Sequence, residues 1–191
     1  MVQHFLDADL RTRFEAIGQQ LYALSHPAGD GGRALSEERT RDVIDALGRD
    51  GFEFVGRGTG RRVFEIPREL APPTRVDSLP GGDAELAESF VVKFPHHHPG
   101  NDGREQIRSE RAIGAAPPHE AIARVALPPV DASERNFWIA FPRADPVADD
   151  DVRDEGDDLS RAGYAPDVTI PSNWGYFGGP RLIDYGWTGK G

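Results

Sequence analysis

One lysine stands out as a residue that could do chemistry. The chain has 20 arginines but only two lysines, Lys93 and Lys190, and Lys93 lies inside the apolar segment 89–94, which is rich in β-branched and aromatic residues. A lysine in such a strand either extends its ammonium group to solvent at an edge or points into a cleft, where it can pair with phosphate oxygens. The second use requires a carboxylate that holds the lysine in place.

The segment that follows supplies a candidate carboxylate. Residues 104–115 are predicted to form a helix, with Glu110 three positions from both Ile107 and Ile113. Glu110 is therefore expected on the buried face, whereas Glu105 is expected to face solvent. A buried carboxylate must be paired, because an isolated buried charge is strongly unfavourable. The sequence predicts an ion pair between Lys93 and Glu110.

A glycine-rich turn precedes this lysine. Gly56, Gly58 and Gly60 lie between two predicted strands, 52–55 and 62–66. Such glycines can serve a tight turn that needs positive φ angles. They can also form a flap whose backbone N–H groups approach phosphates. The turn alone leaves both interpretations open.

Three polar residues near the end of the sequence form an ordered series: Asp167, Asn173 and Asp184, the last at the end of a predicted strand, 181–184. Each by itself is typical of an ordinary turn or strand exit. Two carboxylates and an amide are, however, the oxygen ligands that Mg²⁺ prefers. The series predicts a site for a magnesium–nucleotide complex.

Over about residues 52–187 these features resemble the motifs of the protein-kinase-like superfamily. Gly56, Gly58 and Val63 resemble the glycine loop of that family, with Arg61 in the place of its third glycine. Lys93 and Glu110 resemble its strand lysine and its helix glutamate. Segment 137–143 is similar to the hinge strand that borders the adenine. Asp167 resembles the catalytic aspartate, and Asn173 and Asp184 resemble the metal-binding pair.

The match also departs from the family pattern. Six positions separate Asp167 from Asn173 where the family has five, Ala165-Pro166 replaces His-Arg, and Tyr185 replaces the phenylalanine of the Asp-Phe-Gly motif. Few residues follow Gly186, so an activation segment and a large helical lobe are not expected.

The resemblance implies an α+β fold, in which a kinase-like small lobe of antiparallel sheet and helix follows N-terminal helices and precedes a reduced C-terminal lobe. The expected boundaries are 1–50, 51–143 and 144–191. It implies an ATP- and Mg²⁺-dependent phosphotransferase that acts on a small molecule or a protein. The glycine turn, Gly60 included, would cover the phosphates, and Lys93, oriented by Glu110, would bind them. Asn173 and Asp184 would hold Mg²⁺, and Asp167 would act on the acceptor hydroxyl.

Two other functions are compatible with the sequence. The first is a kinase-like binding or structural protein without catalysis. The second is a winged-helix DNA-binding module at residues 36–66, with Arg57, Arg61 and Arg62 at the tip of the wing.

Composition narrows these options. The chain has 191 residues, no cysteine, 32 acidic against 22 basic residues and a net charge of −10, which argues against non-specific binding to nucleic acid. Without cysteine a disulfide framework or a thiolate site is excluded. No apolar run approaches the roughly 20 residues that cross a membrane, and the N-terminus does not resemble a signal peptide. We therefore expect a cytoplasmic protein, and the Lys-poor, Asp-rich surface suits high salt.

The remaining segments give further expectations. A helix is predicted over 5–25, and a second helix from Ser36, as N-cap, to about Gly48. Residues 67–84 are expected to form a surface insertion, 95–103 an exposed loop that contains three adjacent histidines, and 145–158 a solvated acidic loop or frayed helix. The aromatic segment 137–141 is predicted to be a strand. The three tryptophans, Trp138, Trp174 and Trp187, are expected in the core or in a cleft wall.

Overall fold

The fold is a mixture of α-helices and small antiparallel sheets. The computed structural model describes residues 5–26, 30–58, 60–76, 84–98, 101–164 and 166–185. Its α-helices are α1 Ala8–Leu24, α2 Asp30–Arg49, α3 Gly103–Ala115, α4 Glu120–Val125 and α5 Asp149–Arg161. Two 3₁₀ helices, Pro166–Thr169 and Pro171–Asn173, follow α5.

Five of the eleven strands in the described residues form one antiparallel sheet with the order β1-β2-β5-β9-β8. Its strands are β1 Glu53–Arg57, β2 Arg61–Ile66, β5 Phe90–Pro95, β8 Asp131–Ala132 and β9 Ile139–Pro142. The other strands form three two-stranded antiparallel sheets: β3 Thr74–Val76 with β4 Glu85–Ala87, β6 His97–His98 with β7 Asn101–Asp102, and β10 Trp174–Tyr176 with β11 Pro180–Leu182.

The central strand β5 separates two environments. All six of its residues are buried, and it pairs with β2 on one side and β9 on the other. Because successive side chains of a strand point to opposite faces, Phe94 and Lys93 face different layers. Phe94 packs against Phe14 of α1, with ring centroids 5.6 Å apart. Lys93 therefore points to the face opposite α1.

Helix α1 covers the Phe94 face with the apolar stripe that the sequence predicts. Asp7 caps its N-terminus by accepting a hydrogen bond of 2.7 Å from the backbone N–H of Leu10. The fully buried Phe14 is surrounded by aromatic rings of the sheet layer, those of Phe52, Phe94 and Trp138. Trp138 and Trp174 are both buried, as expected; Trp187 lies outside the described residues.

The second helix begins earlier than predicted. Helix α2 begins at Asp30 and continues through Gly31 and Gly32, so the prediction of an N-cap at Ser36 was wrong. Helix α2 buries Val43 and Leu47 and contacts both α1 and β1. This packing stabilises a helix that includes two residues of poor intrinsic propensity.

The acidic segment is more ordered than expected. It forms the 13-residue helix α5, and the buried side chains of Val152 and Leu159 lie on one face of it. A Cβ atom on Gly156 would lie 2.8 Å from the carbonyl oxygen of Val168, so the helix packs closely on the first 3₁₀ helix. Of the two alternatives predicted for 145–158, a solvated loop or a frayed helix, the loop was wrong: most of the segment is helical, because one face carries enough apolar surface to be buried.

The histidine segment is also not an exposed loop throughout. It forms the β6–β7 hairpin, and His96, only 2% exposed, donates its backbone N–H to the carbonyl oxygen of Gly60 at 2.8 Å. The His97 backbone N–H donates to Ser25 Oγ at 2.7 Å, and its ring stacks on that of His26. The exposed-loop prediction was wrong for His96 because the hairpin packs between β2 and the end of α1.

The predicted surface insertion has structure of its own. Strand β3 lies within 67–84 and pairs with β4, and Ala71 and Val76 are buried; residues 77–83 lie outside the described part. No helix in the described ranges is long and apolar enough to span a bilayer.

Candidate functional site

Four charged side chains meet on the sheet face opposite α1: Arg61, Lys93, Glu110 and Asp184, called the charge cluster below. Lys93 Nζ donates to Glu110 Oε1 at 2.9 Å. The predicted pair of the strand lysine and the helix glutamate is thus confirmed. Glu110 has no exposed surface, whereas the Glu105 side chain is about half exposed, as the helix periodicity predicts.

Arg61 enters the cluster from β2, which sequence reasoning did not foresee. Its Nη1 lies 2.7 Å from Glu110 Oε1, and its Nη2 forms an ion pair with Asp184 Oδ1. The residue is only 4% exposed. The register explains its position: Val63, two residues on, pairs with Lys93, so Arg61 and Lys93 project from the same face. One buried carboxylate therefore serves two cations.

Asp184 is held by the backbone around it. The N–H groups of Ile183 and Asp184 both donate to the carbonyl oxygen of Asn173, at 2.7 and 3.2 Å. Lys93 Nζ donates to the carbonyl oxygen of Ile183 at 2.6 Å. The Asp184 side chain remains 39% exposed, so it is the member of the cluster that solvent reaches most easily.

The next residue anchors this segment from the other side. Tyr185 is buried, and its hydroxyl donates to the carbonyl oxygen of Leu127 at 2.7 Å. Burial, with a smaller effect from the charge of Glu110, raises the pKa of Tyr185 well above its ordinary value. Its ring packs edge-on against Phe141 of β9. The strand exit that carries Asp184 is thus fixed to the sheet.

The pKa values of the two cations shift in opposite directions, although burial acts to lower both. Burial lowers the pKa of Lys93, and the attraction of Glu110 compensates for this only in part, since Arg61 repels the same ammonium. Burial also acts to lower the pKa of Arg61, but the carboxylates of Glu110 and Asp184 outweigh it and raise that pKa. Phe141 adds a cation–π contact, with Lys93 Nζ 4.5 Å from the ring centroid. The cluster is electrically balanced, with two cations and two carboxylates.

The other two residues of the predicted series, Asp167 and Asn173, lie in the two 3₁₀ helices. Asn173, at the end of the second 3₁₀ helix, touches the Asp184 segment through its backbone. Asp167 lies in the first 3₁₀ helix, and its side chain, like Gly186, lies outside the described part. The indole of Trp174 donates to the carbonyl oxygen of Val168 at 2.8 Å and links the two 3₁₀ helices.

The glycine turn has open space where side chains would normally project. A Cβ atom on Gly56 or Gly58 would meet no atom of the described residues within 4 Å, and neither glycine has a positive φ. Neither backbone strain nor crowding within the protein therefore requires glycine there. Gly60 differs, because a Cβ atom there would collide with the Gln106 side chain of α3. Gly56 pairs with Val63, which pairs with Lys93, so a side chain at position 56 would project from the face that carries Lys93.

A cavity of about 410 Å³ adjoins the Asp184 segment. Its lining includes Ile183, whose carbonyl oxygen binds Lys93, and residues on both sides of Asn173, namely Ser172 and Trp174. The lining also includes Ala144–Val147, directly after the segment that resembles the hinge strand. Its volume lies within the range of small-molecule pockets. A second cavity, of about 620 Å³, lies between α1 and α2, away from the cluster.

The arginines of the supposed wing do not share one surface. The Arg61 side chain is turned into the charge cluster, and Arg62 is buried on the opposite face, directly across from Arg57. Burial, with repulsion by Arg57, lowers the pKa of Arg62 to about 10. Only Arg57 of the three is exposed, so the described structure offers no cluster of three arginines to DNA.

The oxygen donors near Asn173 and Asp184 match the chemistry of Mg²⁺, which is commonly held by one or two carboxylates together with substrate phosphates and water. Within the described ranges, no group of three or more His, Asp or Glu side chains is arranged around one point as an all-protein metal site would require.

Comparisons with known protein families, curated proteins and solved structures found no match to this chain.

Proposed function

We propose that this chain is an ATP- and Mg²⁺-dependent phosphotransferase of the protein-kinase-like superfamily. The observation that carries the proposal is the buried ion pair of Lys93 and Glu110, 2.9 Å long, beside Asp184. The five-stranded antiparallel sheet with α3 corresponds in this proposal to the small lobe, and the segment from Ala144 to Tyr185 to the metal-binding loops.

The residues would divide the work as follows. The ammonium of Lys93, oriented by Glu110, would bind the nucleotide phosphates, and the open space at Gly56 and Gly58 would let the backbone approach them. The cavity beside Ile183 would take the base. Asp184 and Asn173 would hold Mg²⁺, which when bound supplies charge neutralisation at the phosphates.

The proposed reaction moves the terminal phosphoryl group of ATP to a hydroxyl of a small molecule or a protein. The bond from the γ-phosphorus to the bridging oxygen breaks, a bond to the acceptor oxygen forms, and ADP leaves. By the family resemblance, Asp167 receives the proton of the acceptor hydroxyl. Positioning and charge stabilisation supply the catalysis.

Turnover of γ-labelled ATP tests the proposal. We expect release or transfer of label by the unchanged chain and its loss in Lys93→Met and Asp184→Asn. Lys190→Met, the only other lysine substitution that the chain offers, serves as the matched control and should retain turnover. Turnover that persists in Asp184→Asn would contradict the metal assignment.

A second candidate is a kinase-like binding or structural protein without catalysis. The contact of Arg61 with both Glu110 and Asp184 favours it, because these are two of the three carboxylates that the proposed reaction needs. This candidate predicts that ATP binds, for example with thermal stabilisation of the chain, but that no label is released by any variant.

A further inference from the structure

We propose that Arg61 is a built-in competitor of the divalent cation: it occupies Asp184 in the free protein and must release that carboxylate before a metal–nucleotide complex can bind. This rests on the proposed function in its assignment of Asp184 as a metal ligand. It adds to the proposed site a residue, Arg61, that controls access of the metal to Asp184.

The positions of the four groups make Arg61 a bridge between an inner and an outer carboxylate. Glu110 is completely buried, whereas the Asp184 side chain is 39% exposed. The guanidinium contacts both at once, through Nη1 on the inner side and Nη2 on the outer side. The contact with Asp184 can therefore break toward solvent while the contact with Glu110 stays buried.

Charge explains why a metal and Arg61 exclude each other at Asp184. The cluster is neutral as it stands, with Arg61 and Lys93 balanced by Glu110 and Asp184. A dication placed on Asp184 beside the guanidinium would leave two positive charges uncompensated, within a few ångströms of each other. Without Arg61 the other three groups carry one net negative charge, which attracts a dication.

The backbone around Arg61 restricts the change to the side chain. The carbonyl oxygen of Arg61 accepts from Gly58 N–H at 2.9 Å, and that of Gly60 accepts from His96 N–H at 2.8 Å. A Cβ atom at Gly60 would collide with Gln106, so the start of β2 is packed tightly against α3. Release of Asp184 is thus a side-chain rotation, which leaves the sheet intact and lets the guanidinium turn to incoming phosphates.

Binding of Mn²⁺, followed through the electron paramagnetic resonance signal of the free ion, tests this without any measurement of activity. We expect Arg61→Gln to bind Mn²⁺ about 10- to 100-fold more tightly than the unchanged chain, because a unit positive charge next to the ion has been removed. The gain should disappear in Arg61→Gln/Asp184→Asn.

Arg62→Gln is the matched control. It removes the same charge one residue away, but Arg62 lies on the opposite face of the sheet, so its effect on Mn²⁺ affinity should be less than about twofold. Equal effects of Arg61→Gln and Arg62→Gln would overturn the proposal, since the gain would then reflect net charge alone. A gain that survives Asp184→Asn would overturn it as well.

A measurement on the unchanged chain covers the case in which Arg61→Gln does not fold. The guanidinium Nε–Hε signal of Arg61 in an NMR spectrum should shift on addition of Mg²⁺ with ATP, and the same addition to Asp184→Asn should leave it in place. An Arg61 signal that does not move in the unchanged chain would overturn the proposal.

These outcomes separate the competitor from the phosphotransferase. Tighter Mn²⁺ binding by Arg61→Gln through Asp184, without turnover of labelled ATP in any variant, supports the role of Arg61 and contradicts the proposed reaction. Turnover by the unchanged chain, with Mn²⁺ affinity unaffected by Arg61→Gln, supports the reaction and overturns the competitor.

Discussion

Replacement of Glu110 by glutamine should destabilise the fold far more than the loss of an ordinary ion pair. The substitution preserves the size of the side chain and removes only its charge. Glu110 is fully buried, and its Oε1 lies 2.9 Å from Lys93 Nζ and 2.7 Å from Arg61 Nη1. Within the described part of the chain, Glu110→Gln therefore leaves Asp184 as the only carboxylate of the charge cluster beside two buried cations.

The expected magnitude follows from burial and geometry. At an effective dielectric constant of about 20, two unit charges 4 Å apart interact by about 4 kcal/mol, and Glu110 takes part in two such pairs. The carboxylate loses hydration in the folded protein, which offsets part of this gain. Removal of one partner of a buried pair typically lowers stability by about 3–5 kcal/mol, a large share of the roughly 5–15 kcal/mol that holds a domain together. We expect a loss in this range for Glu110→Gln.

Urea unfolding followed by far-ultraviolet circular dichroism gives the free energy of unfolding from the midpoint, provided that the slope is unchanged. Glu88→Gln is the matched control, because Glu88 pairs with Arg68 at 3.0 Å with both side chains about two-thirds exposed. Exposed pairs contribute about 0–1 kcal/mol.

A second measurement tests the cause of the loss. Lys93→Met removes one of the two cations that Glu110→Gln leaves unpaired, so Glu110→Gln should be less destabilising in that background. This background also permits measurement if the single variant does not fold. Equal losses for Glu110→Gln and Glu88→Gln, or simple additivity with Lys93→Met, would refute the assignment of a shared buried carboxylate.

Three further predictions concern packing and pH. Gly18→Ala should lower the free energy of unfolding by about 1–3 kcal/mol, because the new methyl group would collide with the carbonyl oxygen of Phe137. Gly48→Ala, whose added Cβ atom meets no described residue within 4 Å, should instead raise the free energy of unfolding by about 0.5–1 kcal/mol; changes of the same sign in urea unfolding would show that α1 does not pack as described. Arg62→Met should stabilise the protein by about 1–3 kcal/mol, because it removes a buried cation whose Nη1 has no hydrogen-bond partner among the described residues; a lower urea midpoint would contradict this. Tyr185 has a raised pKa in the folded state, so its contribution to stability should be fully present below about pH 10 and lost as the pH rises toward the folded-state pKa. Between pH 8 and pH 11 the midpoint temperature of thermal unfolding should therefore fall more steeply for the unchanged chain than for Tyr185→Phe. Parallel curves for the two proteins would contradict the burial of that hydroxyl.

The elements that carry the site follow from local patterns. The apolar stripe of α1, the β-branched run of β5 and the spacing of Ile107, Glu110 and Ile113 on α3 each record a buried face in the order of residues. The pairing of Lys93 with Glu110 follows as well, because a buried lysine and a buried glutamate on consecutive elements satisfy each other. These features are separated by only 17 residues.

Arg61 shows why the rest of the site could not be predicted. Its role depends on the register of β2 against β5 and on a carboxylate 123 residues further along the chain. An arginine in a glycine-rich turn looks like a surface residue in the sequence, and its burial results from contacts with α3 and the Asp184 segment. The replacement of the third glycine of the loop motif by arginine was the available signal.

The start of α2 and the acidic helix illustrate the same limit. Gly31 and Gly32 are poor helix formers, and the acidic residues of α5 suggest solvent on every side, yet packing against α1 and against the first 3₁₀ helix stabilises both helices. Helix formation depends more on the burial of one face than on intrinsic propensity.

The sequence by itself determined the α+β composition, the buried strand with its single lysine and the glutamate that pairs with it, because hydrophobic periodicity and the need to pair a buried charge are properties of neighbouring residues. Only the tertiary structure decided that Arg61 and Asp184 complete a neutral cluster of four. Sheet register and core packing bring distant strands and loops together, and the ion pair of Arg61 with Asp184 forms only when those long-range contacts are in place.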